Sequence, residues 1–165
     1  MNIIFLDIDG VLNSEKFYVA RQDQIIAGTW DVEYPLSEFD PGSISILNSI
    51  TDDNYAKLVL SSCWRIGKDI KAIKELFVQV GITGECIGKT MTIKEGYGFR
   101  GNEIHQWMQD NKDLLGESIA KYRRYVILDD DTDMLYWHRN NIVHVDRFVG
   151  LTKGDAYKCH KIFQW

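Results

Sequence analysis

Two aspartates, Asp7 and Asp9, stand where the first apolar run of the chain ends, in the stretch MNIIFLDIDGVLN. The run at 3–6 reads as a buried strand whose C-terminal end carries the acids. Side chains alternate along a strand, so Asp7 and Asp9 leave on the same side and close together. Two unshielded carboxylates at a buried strand end repel each other and resist desolvation. A divalent cation between them removes that cost, and oxygen ligands of this kind suit Mg²⁺. Gly10 lets the chain turn sharply and lets a substrate approach the backbone. A calcium loop opening at Asp7 would need Glu at its twelfth position, where Tyr18 stands. A hairpin at Asp9-Gly10 would need a longer return strand than Val11-Leu12.

Two more polar clusters follow apolar runs. The run at 57–60 ends in Ser61-Ser62-Cys63-Trp64-Arg65, and the run at 125–128 ends in Asp129-Asp130-Asp131. Together these groups suit phosphoryl transfer. Asp7 is the candidate nucleophile, since a carboxylate held against Mg²⁺ can attack phosphorus in line and form an aspartyl-phosphate. Asp9 would protonate the leaving oxygen and later deprotonate the attacking water. The Ser61 hydroxyl and the backbone N–H groups after it can grip a phosphoryl oxygen; Ser62, pointing oppositely, is the poorer holder. Arg65 offers phosphate a bidentate fork, or else makes a surface salt bridge. Asp129 and Asp130 close the metal site, with Asp130 expected on the ion directly and Asp129 assisting. Asp131 is expected to face solvent, and Asp133 to sit at a helix N-terminus. A loose phosphoryl transition state also needs a fixed cation besides the metal.

The elements between the clusters must bring them together. The segment 14–39 is irregular and aromatic-rich, and reads as a flap or small cap leaving the top of the first strand. Asp40-Pro41 opens a helix whose inner face is Ile44, Leu47 and Ile50, followed by a polar turn at 51–54. A helix at 68–80 buries Ile70, Ile73, Phe77 and Val80, and 82–87 reads as a third strand. Gly-rich sequence around 96–101 leads into a helix carrying Ile104, Trp107 and Met108. A helix at about 133–140 and a strand at 142–145 follow. Thr152 and Asp155 form a capping box for the last helix, whose inner face includes Ala156, Cys159 and Phe163. Strands alternating with helices predict an α/β fold with a mainly parallel sheet covered on both faces. Ligands in such sheets bind beyond the carboxyl ends of the strands, where all three polar clusters fall.

Composition sets the outer bounds. The 165 residues are 45% hydrophobic with two prolines, which suits one globular domain over 1–165. A net charge of −5 gives no overall basic field, so a site for a polyanion must be local. The three cysteines, Cys63, Cys86 and Cys159, lack metal-ligand spacing and suggest a reducing, cytoplasmic setting. His105, His138, His144 and His160 also lack metal spacing. No apolar stretch reaches membrane-spanning length, so no membrane partner is expected. No basic region precedes the first apolar run, and no signal peptide is expected.

DIDGVLN, the strand ending in SSCWR, the arginine opening a helix in FRGNEIHQWM, and VILDDDTDM resemble the haloacid dehalogenase (HAD) superfamily. With the closing GLTKGDAYK they look most like the HAD domain of Swiss Army knife RNA-repair proteins. The segment DDDTDMLYWHR is also similar to the last motif of the 3′-phosphatase domain of bacteriophage polynucleotide kinase. The resemblance implies a HAD-like Rossmannoid three-layer fold with a small cap or none. It also implies a Mg²⁺-dependent phosphatase, with Asp9 adding its backbone carbonyl to the metal shell. The superfamily's fixed cation is usually lysine; Arg100 holds that position here, with Lys94 and Lys89 in reserve. The implied substrate is a phosphorylated RNA or DNA end, or a nucleotide, and a nucleic-acid 3′-phosphate above all. A small-metabolite phosphatase and a catalytically silent binding or regulatory module are the competing readings.

Overall fold

The computed structural model describes residues 1–29, 31, 33–34, 36–93, 98–115 and 124–164. Its centre is a five-stranded sheet in the order β3-β2-β1-β4-β5, parallel at every pairing. The strands are β1 (Asn2–Leu6), β2 (Ala56–Leu60), β3 (Cys86–Lys89), β4 (Tyr125–Asp129) and β5 (Ile142–His144). The apolar runs have no hydrophilic face because both faces are covered. Ile4, Leu6, Leu58, Leu60, Val126 and Leu128 pack under α2 (Pro41–Asn54), α3 (Ile70–Val80) and α6 (Lys153–Gln164). Ile3, Phe5, Val59, Tyr125 and Ile127 pack on the other side against α4 (Arg100–Asp110) and α5 (Lys112–Leu115). This is the three-layer, HAD-like α/β arrangement expected from the sequence. Among the described residues no helix is long and apolar enough to cross a membrane.

Several local expectations hold in atomic detail. Asp40 caps α2 by accepting from the Gly42 N–H, with Pro41 at the first helical position. Thr152 and Asp155 cap each other at the start of α6, the Thr152 hydroxyl donating to Asp155 Oδ2 at 2.6 Å. Others shift, for physical reasons. The segment 14–39 is not irregular at its start: α1 (Glu15–Ile26) occupies it, capped by Ser14. Arg21 is the one buried residue of α1, so the helix shows no apolar stripe. The turn expected at 51–54 is the last turn of α2, which ends only where Tyr55 takes the left-handed conformation at φ 49°. Strand β3 begins at Cys86 rather than 82, because Ile82 fills the core without joining the ladder. Ile70, expected inside, is exposed.

Helix 133–140 shortens to a 3₁₀ turn at Tyr136–Asn140. Asp133 is committed elsewhere, its Oδ2 accepting from the Arg100 N–H at 2.9 Å and its carbonyl from the Gly101 N–H at 3.1 Å. It caps α4, not a helix of its own.

Candidate active site

Registry brings the polar clusters to one level. Leu6 of β1 pairs with Leu60 of β2 and with Leu128 of β4, so Asp7, Ser61 and Asp129 follow side by side. The Asp7 N–H donates to the Leu128 carbonyl and the Ser61 N–H to the Leu6 carbonyl, which fixes the strand ends. Strand alternation continues from Phe5 to Asp7 and from Ile127 to Asp129, carrying both acids toward α4. Gly10, at φ +75°, turns the chain immediately beyond. A Cβ there would stand 2.4 Å from Asp130 Oδ2, so only glycine lets the Asp130 carboxylate in.

Asp7, Asp129 and Asp130 each offer an oxygen within 4.8 Å of the other two. Asp7 and Asp129 are only 4% and 1% exposed, so their charges are poorly hydrated. Burial raises the Asp7 pKa to about 6 against the opposing pull of Arg100, the Ser62 hydroxyl and the Ile8 N–H. Burial, then the Asp7 charge, raises Asp129 to about 7. One Asp129 oxygen accepts from the Asp131 N–H at 2.9 Å, while Oδ2 has no hydrogen-bond donor among the described residues. Three converging carboxylates, two of them raised, with one oxygen lacking a hydrogen bond, fit a divalent cation with oxygen preference.

Arg100, the first residue of α4, is the cation beside Asp7 and Asp129. Its guanidinium lies 3.7 Å from Asp7 Oδ1 and 3.5 Å from Asp129 Oδ2, and its buried Nη1 has no hydrogen-bond partner among the described residues. Lys89 is turned away, its ammonium donating to the Lys68 and Arg65 carbonyls. Lys94 lies outside the described residues.

Arg65 is a correction. Its guanidinium is buried and donates to the carbonyls of Ser62, Thr90 and Met91, and it pairs with Glu103 at 2.5 Å. With every nitrogen engaged inside the protein, it has no fork to offer phosphate. The strand end after β2 is thereby tied to α4. Of the two serines, Ser62 reaches the Asp7 carboxylate, whereas the Ser61 hydroxyl is buried with no partner among the described residues.

Asp9 stands apart from the three-carboxylate cluster. Its Oδ1 accepts from Trp64 Nε1 and from Asn13 Nδ2, both at 2.9 Å, and its Oδ2 from the Cys63 thiol at 3.1 Å. Burial alone would raise its pKa, but these donors more than offset that and hold it below the ordinary value. Asp131 faces solvent as expected. The sequence reading missed Trp64, Cys63 and Asn13 as partners of Asp9. It also missed Arg147, whose guanidinium lies 3.1 Å from Asp130 Oδ2. Trp64 and Cys63 fall directly after the Ser61-Ser62 pair, which was the available signal.

The sequence model of one protein family, described as the HAD domain in Swiss Army Knife RNA repair proteins, matches residues 3–156. No curated protein and no solved structure matches the chain.

Proposed function

The chain belongs to the HAD domain family of Swiss Army Knife RNA repair proteins, a family of phosphatase-type hydrolases, and from that premise we propose a Mg²⁺-dependent phosphohydrolase acting on nucleic-acid 3′-phosphates. The observation that carries the reading is the convergence of Asp7, Asp129 and Asp130 on one point with the Arg100 guanidinium beside it. A Mg²⁺ ion held by these three carboxylates would neutralise them and polarise the phosphoryl oxygens. Asp7 supplies the nucleophilic oxygen and becomes the aspartyl-phosphate, and water then attacks phosphorus and regenerates the carboxylate. Arg100 donates to phosphoryl oxygens as charge spreads over them. The Ser61 hydroxyl, without a partner among the described residues, and the nearby Ser62 hydroxyl are further donors. Asp9 delivers a proton to the leaving oxygen and takes one from the incoming water. The segment 14–39 acts as a small cap and leaves room for a strand end.

A second reading has one observation in its favour. A cavity of about 220 Å³ lies between Asn13, Phe17, Tyr18, Arg21 and Glu38, beside the Asn13 that holds Asp9, and is large enough for a small leaving group. It would suit a metabolite phosphatase.

The test compares a 3′-phosphorylated oligonucleotide, its 5′-phosphorylated counterpart, mononucleotides and sugar phosphates, with Mg²⁺ and with chelator. The expected result is the highest kcat/KM on the 3′-phosphorylated oligonucleotide and no turnover in chelator. Equal or better turnover of a mononucleotide or sugar phosphate moves the protein to the metabolite reading. Full activity in chelator overturns the metal-dependent mechanism.

A further inference from the structure

Asp9 is gripped by a side chain that belongs to an aromatic stack. The Trp64 indole N–H donates to Asp9 Oδ1 at 2.9 Å. The same ring is stacked by Tyr34, with centroids 6.3 Å apart and planes 21° from parallel, and is met edge-on by Phe39 at 5.1 Å. Phe39 is buried and anchors the group, while Tyr34 is 72% exposed, so the outer end of the stack is open. The Lys68 ammonium lies over the Trp64 ring, 5.8 Å from its centre, and adds positive charge to this platform.

The position follows from the chemistry. The oxygen that Asp9 must protonate belongs to the leaving group, so the leaving group has to come to Asp9 and meets whatever surrounds it. What surrounds it is an aromatic group with a cation over the Trp64 ring. Rings of this kind stack on nucleobases without regard to sequence. Building on the phosphohydrolase reading, we propose that Trp64 has two roles. Its N–H is a positioning group that holds the Asp9 carboxylate toward the leaving oxygen. With Tyr34, its face is the platform on which the nucleobase beside the scissile phosphate stacks. Asn13 and Cys63 hold Asp9 from other directions, so losing the indole donor loosens the carboxylate without releasing it.

The two roles separate experimentally. Trp64→Phe keeps a ring and removes the N–H. On a series of aryl phosphates with progressively less acidic leaving groups, all rings stack alike and only the need for a proton varies. In kcat/KM, which reports the step that expels the leaving group, Trp64→Phe should match the wild type on the nitrophenyl ester and fall behind it by about 10- to 100-fold on the least acidic phenol. Tyr34→Leu removes an exposed ring and leaves the fold alone. It should raise KM roughly 5-fold or more for a 3′-phosphorylated dinucleotide and leave kcat unchanged. It should have no effect on the matching dinucleotide lacking the terminal base. An unchanged dependence on leaving-group acidity in Trp64→Phe, or an equal KM rise with and without the base in Tyr34→Leu, overturns this inference alone. No turnover of any ester by the wild type overturns the phosphohydrolase reading and takes this inference with it.

Discussion

Asp7 has to be a reactive anion in a place that disfavours anions. Burial holds its pKa near 6, and each unit above the ordinary value of 3.8 is about 1.4 kcal/mol by which folding favours the protonated form. Asp7→Asn keeps the shape, removes the nucleophile and removes that charge. Turnover should therefore fall to background while the metal-free protein at pH 8 becomes more stable, by roughly 3 kcal/mol or about 6–12 °C in Tm. Thermal denaturation and a phosphatase assay check both halves, and near-native turnover in folded Asp7→Asn protein excludes covalent catalysis through Asp7. Sequence made Asp7, Asp9, Asp129 and Asp130 legible because carboxylates just past apolar strands have few reasons to be there. It could not sort them, because which oxygens converge depends on rotamers and on donors far along the chain. Asp9 turns to Trp64, 55 positions away, and Arg65 turns inward to Glu103, 38 positions away. An arginine after a strand reads the same whether its fork meets phosphate or a buried glutamate.

Helix α4 matters to the site through its first turn. Arg100 and Gly101 are held there by Asp133, through its side chain and its carbonyl. A Cβ on Gly101 would stand 2.4 Å from the Leu135 nitrogen and 2.9 Å from the Met134 Cα, and rigid backbone on both sides cannot yield. Gly101→Ala should destabilise the protein by about 1–3 kcal/mol through overpacking. It should also push the start of α4 away and carry Arg100 off its carboxylates, lowering kcat by about 10-fold or more. A Tm measurement alongside steady-state kinetics checks this, and an unchanged kcat would show that α4 does not aim Arg100. Elements with strong periodicity, such as α2 and the central strands, could be read from the sequence because burial wrote their pattern. Helix α1 could not, since it buries a single arginine, pinned to Glu38 at 2.6 Å and to the Ser37 carbonyl. The 3₁₀ turn at Tyr136–Asn140 falls short of the helix expected at about 133–140 because Asp133, which would cap that helix, serves α4 instead.

At the scale of the whole molecule, two sets of buried groups pull stability in opposite directions as pH changes. Asp7 and Asp129 have folded pKa values near 6 and 7, above their ordinary 3.8, so the native state binds more protons than the unfolded chain between about pH 4 and 7. Stability from this source is greatest at low pH and is lost as pH rises through that window. His138, packed against Tyr125 on the α4 side of the sheet, is fully buried, with neither ring nitrogen partnered among the described residues. Burial, and then the charge of His105, lower its pKa from 6.5 to about 4, so here the unfolded chain binds more protons. Stability from His138 is present above pH 6.5 and is lost as pH falls toward 4. Without metal the terms oppose each other and the two aspartates outweigh the one histidine, so Tm should decline from pH 5 to pH 8. A bound divalent cation replaces the protons on the carboxylates and removes their term, leaving that of His138. In saturating Mg²⁺, therefore, Tm should rise between pH 5 and pH 7, and the stabilisation by Mg²⁺ should be several-fold larger at pH 8 than at pH 5. Differential scanning calorimetry across this range, with Mg²⁺ or with chelator, measures both slopes. An equal Mg²⁺ effect at the two pH values would mean that the ion does not bind where Asp7 and Asp129 titrate.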